Sequence, residues 1–250
     1  MIHQAKPEAQ AVGKDPASEG RKEKLSIVMP LANESATIEA LLSRILEDLN
    51  PLDRIYCVVD LASTDQTLSI VTEFSKKEER VRLVWSPENT CVVDAYFTGY
   101  RRAYADGAEW ILEMDAGFNH DPGQINDFLM AASEGYDFVC GSRFMPGGSH
   151  DSPPSRVFLS WFGTLLSRII LKTRMSDMTS GYELFTREAM AKVLQRGVRS
   201  KANFFQTEIR FFMHELEWKE IPIRYSNRNV TVGRSAVRES LQILWELRKS

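Results

Sequence analysis

Four short segments carry oxygen-rich or cationic side chains at spacings that suit chemistry on a phosphorylated ligand. Pro30-Leu31-Ala32-Asn33-Glu34 closes one apolar run. Asp60-Leu61-Ala62-Ser63-Thr64-Asp65-Gln66-Thr67 closes another, and a carboxylate followed by hydroxyls can accept hydrogen bonds from a base or ribose. Glu113-Met114-Asp115-Ala116-Gly117-Phe118-Asn119-His120-Asp121-Pro122 places Asp115 at an apolar run's end, with Asn119 shortly after. Hard oxygens of this sort bind a divalent cation that also holds phosphates. Gly141-Ser142-Arg143, with Gly147-Gly148, combines glycines that admit a ligand close to the backbone with an arginine that can pair with phosphate. Each segment also has a plainer reading. Asn33, Glu34 and the Ser63–Thr67 run would cap helices well, and His120 reads as a turn residue.

The surrounding pattern brings these segments together. Short β-rich runs at Leu25–Met29, Arg54–Val59, Val81–Trp85, Trp110–Met114 and Tyr136–Cys140 alternate with amphipathic stretches at Ser35–Leu49, Gln66–Glu79, Val92–Ala105 and Pro122–Ser133. The stretches repeat apolar residues at helical spacing, as in Ile38, Leu41, Leu42 and Ile45. Such alternation predicts an α/β fold with a mostly parallel, Rossmann-like sheet flanked by helices. The strands are apolar along their whole length, as in a sheet covered on both faces. Ligands then bind outside the carboxyl ends of the strands, and all four polar segments fall on that rim.

The second half is less regular. Ser155–Lys172, Arg187–Gln195, Phe204–Glu217 and Arg238–Leu247 read as helices, and Gly181–Phe185 and Trp218–Tyr225 as strands. Trp110, Trp218, Phe204, Phe205, Phe211 and Phe212 read as core. Residues 1–23 have no apolar period and read as a disordered tail. Residues 24–250 read as one domain, with a ligand-binding half to residue 150 and a second half after it.

Composition narrows the function. A net charge of −3 gives no general attraction to nucleic acid, so no nucleic-acid partner is expected. Cys57, Cys91 and Cys140 form no paired motif and read as free thiols in a reducing compartment. Leu25–Leu31 is too short for a signal peptide or a membrane span. Ser155–Lys172 carries Arg156, Arg168 and Lys172 beside Phe158, Trp161 and Phe162, as in helices that lie at a membrane interface. The alternative is a helix buried against the sheet. The expected location is the cytoplasm, with peripheral attachment to a membrane.

In order, the strings LSIVMPLANES, VVDLASTDQT, ILEMDAGFNHDP, DFVCGSRF, SDMTSGYELF, FFQTEI and WKEIPIRYSNR resemble the family-2 glycosyltransferases of the GT-A fold, in particular the dolichol-phosphate and polyprenol-phosphate mannose synthase group. The resemblance spans Leu25 to about Gly233. It implies a hexosyltransferase that moves a sugar from a nucleoside diphosphate to a polyprenyl or dolichyl phosphate with inversion. Pro30, Asn33, Glu34, Asp60, Ser63, Asp65, Ala116 and Gly117 would then line the donor site. Asp115 would bind diphosphate and metal, Arg143 would contact phosphate, and Arg156, Arg228 and Arg234 would serve the acceptor. Glu208 would face the sugar, and would be the base if the acceptor were a hydroxyl.

The chain departs from the family pattern at several points. Asp60-Leu61 replaces two adjacent aspartates, Thr90–Asp94 replaces a glycine-bearing loop, and Gly233-Arg234-Ser235-Ala236 alters a C-terminal motif. Gly117 stands where the second aspartate of a D-x-D element is a metal ligand. Three readings follow. Mg2+ or Mn2+ is held by Asp115, Asn119 and the donor's phosphates; arginines replace the metal; or the chain binds sugar nucleotides without turnover. A saccharide or protein hydroxyl is the alternative acceptor.

Overall fold

The computed structural model describes residues 21–227 and 233–249. Strands and helices alternate through the first half: β1 (Leu25–Leu31), α1 (Ile38–Glu47), β2 (Arg54–Val59), α2 (Thr67–Lys77), β3 (Val81–Trp85), α3 (Val92–Ala105) and β4 (Trp110–Glu113). A 3-10 turn (Pro122–Gln124) leads into α4 (Ile125–Ser133) and β5 (Phe138–Ser142). The second half contains β6 (Ser149–Asp151), α5 (Pro154–Leu171), β7 (Glu183–Thr186), α6 (Arg187–Arg196), α7 (Phe205–Met213), β8 (Trp218–Pro222), β9 (Arg224–Ser226) and α8 (Arg234–Leu247).

The main sheet has the order β3-β2-β1-β4-β7-β5-β8. β1, β2, β3 and β4 are parallel, as are β5 and β8, while β7 runs antiparallel to both its neighbours. The expected mostly parallel α/β sheet is therefore present. Both faces are covered, which explains the unbroken apolar strands. In β1, Ile27 and Met29 join a core with Ile38, Leu41 and Ile45 of α1, whereas Val28 joins the opposite core with Tyr96 and Tyr100 of α3. Gly99 lets α3 come this close: a Cβ there would lie 2.3 Å from Cγ1 of Val28.

Three differences from the sequence reading bear on the site. The expected strand over 218–225 is two strands. β8 stays in the main sheet beside β5, and after Pro222 the chain turns away so that β9 pairs with β6. β6 is too short to show a period. The expected helix over 204–217 ends at Met213, because 214–217 is the loop that returns the chain to β8. Outside the sheet, Arg21 pairs with the buried Asp53 at 2.5 Å and lies over the Trp110 ring.

Candidate active site

The sheet reverses its winding between β1 and β4, so the crevice for a ligand opens there. Leu31 pairs with Val59, and Val28 pairs with Glu113. The chain thus leaves β2 at Asp60 and β4 at Asp115 on either side of the segment that follows β1. Neighbouring strands are about 4.8 Å apart, so these two carboxylates flank one crevice roughly 10 Å wide.

The first two rim loops are stitched to each other. The Asn33 Oδ1 accepts from the Thr64 amide at 2.9 Å, and its Nδ2 donates to the Ala62 carbonyl at 3.2 Å. These bonds hold Asn33 in a left-handed conformation, φ 60°. Asp65 accepts from the amides of Ser35 at 3.0 Å and Thr67 at 2.9 Å, and from the Thr67 hydroxyl at 2.6 Å. Those donors, the Ser35 and Thr67 bonds first, hold its carboxyl well below the usual carboxylate range. Ser63 Oγ accepts from the Asn33 amide at 3.3 Å. Asn33, Ser63 and Asp65, expected to line the donor site, are held there by these loop–loop bonds. Asp60 is buried and accepts from the Ala62 amide through Oδ1, and Pro30 is half-buried at the crevice floor.

Asp115 sits in a loop folded around the buried His120. The Asp115 amide donates to Nδ1 of His120 at 2.9 Å, and the His120 ring stacks on Tyr182 at 4.5 Å. Burial lowers the His120 pKa to about 4, so the imidazole stays neutral with its proton on Nε2, 4.0 Å from Oδ2 of Asp115. Oδ1 of Asp115 accepts from the Tyr96 hydroxyl at 2.7 Å. Burial and the adjacent Asp115 push the Tyr96 phenol far up, which keeps it a donor. Ala116 is buried, and Gly117 has φ 68° with the Glu34 carboxylate lying against it. The Glu34 pKa is raised, by burial first and then by Asp115 and Asp65. Asn119 is half-buried, and its carbonyl accepts from the Ser226 amide at 3.0 Å.

At the other end of the crevice, Arg143 is buried and forked onto Asp177, with Nε to Oδ2 at 2.7 Å and Nη2 to Oδ1 at 2.9 Å. Burial would raise the Asp177 carboxyl, but Arg143 and then Arg210 hold it well below the carboxylate range. Arg143, expected at phosphate, is thus tied into the wall of the crevice by Asp177, with Nη1 beside His150. Tyr225 joins the two ends, a residue the sequence reading missed. Its backbone bridges His120, its ring lies under the Arg143 guanidinium, and its hydroxyl feels Asp115, Arg156 and Arg143 together. Around the first turns of α5, an apolar groove of about 500 Å³ opens between Phe144, Ser152, Pro154, Val157, Phe158 and Trp161.

The helix that starts there is not sunk into the molecule. In α5 only Thr164, Ser167 and Leu171 are buried. Phe158, Trp161, Phe162, Leu165 and Ile169 form an exposed apolar stripe. Helix α8 packs beside α5 and carries a second stripe of Val237, Leu241 and Trp245. The alternative of a helix buried against the sheet does not hold for this face. No helix among the described residues is long and apolar enough to cross a membrane.

Glu208 is fully buried in α7. Its carboxylate accepts from the Arg199 amide at 3.0 Å and the Ser200 amide at 2.8 Å, which ties down the loop before α7. Glu208, expected on the sugar side, is thus placed with both oxygens on backbone amides. Glu208→Gln should cost about 1–3 kcal/mol of stability, because an amide cannot accept on both sides. Sugar transfer per folded molecule should stay within a few-fold, as read by urea unfolding and initial rates. Arg228 lies outside the described residues; Arg234 opens α8, and its side chain lies outside them too.

A carboxylate-flanked crevice at the winding reversal of a mostly parallel sheet, with one antiparallel strand, fits the GT-A fold. The chain matches the family model "Glycosyl transferase family 2" over residues 26–194, and it belongs to that family of glycosyltransferases. It is 28% identical over 239 residues to polyprenol monophosphomannose synthase from Mycolicibacterium smegmatis, covering 93% of this chain and 89% of that one. It is 29% identical over 206 residues to undecaprenyl-phosphate mannosyltransferase from Micrococcus luteus, covering 81% and 84%. Among solved structures, glucosyl-3-phosphoglycerate synthase from Mycobacterium tuberculosis, in complex with Mn2+, uridine diphosphate and phosphoglyceric acid, superposes with a TM-score of 0.66. That likeness covers 93% of this chain and 80% of that one at 17% identity.

A divalent metal fits the residues present. Among the described residues no three His, Cys, Asp or Glu side chains converge to hold an ion unaided. Asp115 and Glu34 nonetheless present hard oxygens at the crevice, the arrangement Mg2+ uses when one or two carboxylates share it with substrate phosphates.

Proposed function

We propose that the protein transfers a hexose, mannose by the relatives' names, from a nucleoside diphosphate to a polyprenyl phosphate at a membrane surface. One observation carries this reading: the first turn of α5 sets Arg156 in sequence between Pro154 and Val157, which line an apolar groove at the foot of that exposed amphipathic helix. An acceptor with an anionic head and a hydrocarbon tail matches both parts. The exposed stripes of α5 and α8 suit the headgroup boundary of a bilayer, with Arg168, Lys172 and Arg238 near them for anionic lipid. Peripheral attachment to a membrane follows.

In this reading Asp60 and Pro30 hold the nucleoside in a pocket fixed by Asn33, Ser63 and Asp65. Asp115, oriented by Tyr96 and the His120 loop, faces the diphosphate; with Asn119 it would hold a divalent ion. When bound, that ion offsets the charge that builds on the leaving diphosphate. Arg156 receives the acceptor phosphate beside Tyr225, and Arg228 and Arg234 are further candidates for that anion. Phosphate monoesters have a second pKa of about 6, so the acceptor is already a nucleophile at neutral pH. No general base is required, which agrees with the burial of Glu208.

The test is transfer from radiolabelled GDP-mannose, and from UDP-glucose as comparison, to undecaprenyl or dolichyl phosphate in vesicles, with free saccharides offered in parallel. Label should appear in an organic-extractable product that mild acid releases. Label on saccharide alone, with none in lipid, would reject the reading.

A further inference from the structure

We propose that Glu34 supplies the second carboxylate to the divalent ion held at Asp115, in place of the side chain that Gly117 lacks. The inference rests on the reading of the crevice as a sugar-nucleotide site. A Cβ built on Gly117 would lie 2.9 Å from Oε2 of Glu34 and 3.2 Å from Oε1. The Glu34 carboxylate therefore fills the space that a longer residue at 117 would enter. Gly117 serves twice: its φ of 68° is a conformation that favours glycine, and its bare Cα admits the carboxylate.

Glu34 is held in this position by short-range bonds. Its amide donates to Oγ1 of Thr67 at 2.7 Å, and its Oε2 accepts from the Thr37 hydroxyl at 2.8 Å. Oε1 has no hydrogen bond among the described residues. Glu34 follows β1 and Asp115 follows the neighbouring β4, and a cation shared by the two carboxylates would offset their like charge. A separate observation points the same way. The fully buried His120 has an Nε2 without a hydrogen-bond partner, directed at Oδ2 of Asp115 from 4.0 Å. The Asp115 amide is held by Nδ1 of His120 and its Oδ1 by the Tyr96 hydroxyl, so Oδ2 is the oxygen left for a cation. Asp115 from β4 and Glu34 after β1 then form a split motif, contributed by two strands where a D-x-D element uses one loop.

The experiment uses the full chain and non-reacting ligands. Mn2+ binding is measured by electron paramagnetic resonance in the presence of GDP or UDP, and nucleotide binding in EDTA is measured by calorimetry. Glu34→Gln should weaken Mn2+ binding to the nucleotide complex by about 10- to 100-fold, at least what loss of an outer-sphere partner costs. Binding in EDTA should change by no more than a few-fold. Adding Gly117→Asp to Glu34→Ala, which empties that space, should recover the Mn2+ affinity that Glu34→Ala loses. Gly117→Asp alone should not improve on the wild type. Mn2+ affinity indifferent to Glu34→Gln, or a double variant no better than the single one, overturns the proposal and leaves the transferase reading standing. A wild-type protein that binds neither nucleotide overturns both.

Discussion

Replacing Asp115 with asparagine is expected to lower sugar transfer by about two to three orders of magnitude, the range seen when one transition-state stabilising group is removed. The substitution keeps the size of the side chain and leaves an oxygen to accept from Tyr96, so it isolates the charge. The site tolerates the change structurally: the Asp115 side chain is 34% exposed and its amide bond to His120 is unaffected. Thermal unfolding should shift little. Initial rates at saturating donor and Mn2+ provide the measurement, and a loss below tenfold would contradict the placement of Asp115 at the diphosphate.

The largest effect on stability is expected at Arg210. Its guanidinium is fully buried, pairs with the equally buried Glu183 at 2.6 Å, and donates to the carbonyls of Gly141 at 3.0 Å and Asp177. It thereby pins β5, β7 and the segment holding Asp177 to α7. Glu113 lies in the same interior, where Tyr100 and Gln206 donate to it and burial beside Glu183 raises its pKa far above the carboxylate range. Arg210 is the ion-pair partner of Glu183 and a second cation near Asp177. Arg210→Met strands those carboxylates and should remove about 3–5 kcal/mol. Adding Glu183→Leu should return much of that, since replacing a whole buried pair by apolar side chains is often neutral. Urea unfolding of both variants decides it; a single-variant loss under about 1 kcal/mol would mean that the pair is not what holds the two halves together.

The donor half of the fold was legible because its signals are local. Arg54–Val59, Val81–Trp85 and Val92–Ala105 begin and end where apolar period and flanking polar residues say they should. Strand–helix alternation then fixed which loops share a rim, so Asp60 and Asp115 could be placed on one crevice without coordinates. What stayed hidden depends on partners far apart in the chain. Arg143 reads as a phosphate ligand until Asp177, 34 residues on, takes its fork. Glu208 reads as a reactive carboxylate until the Arg199 and Ser200 amides claim it. Glu34 and Gly117 come from different strands, and no spacing rule reveals that one occupies the other's missing side chain. Tyr225 was read only as part of a strand, and Pro222 was the one sign that this strand breaks.

The position of β7 has a consequence for how the chain is made. β4 is complete at Glu113, yet its outer edge pairs with β7, which ends at Thr186. β5, synthesised earlier, also waits for β7. At ~5–20 residues per second, the roughly 70 residues between β4 and β7 and the roughly 40 between β5 and β7 leave both strand edges open on the ribosome for seconds. Unpaired edges invite pairing with other chains. A fragment cut between β5 and β7 would retain the nucleotide-facing loops but keep those edges permanently open, and should accumulate as aggregate.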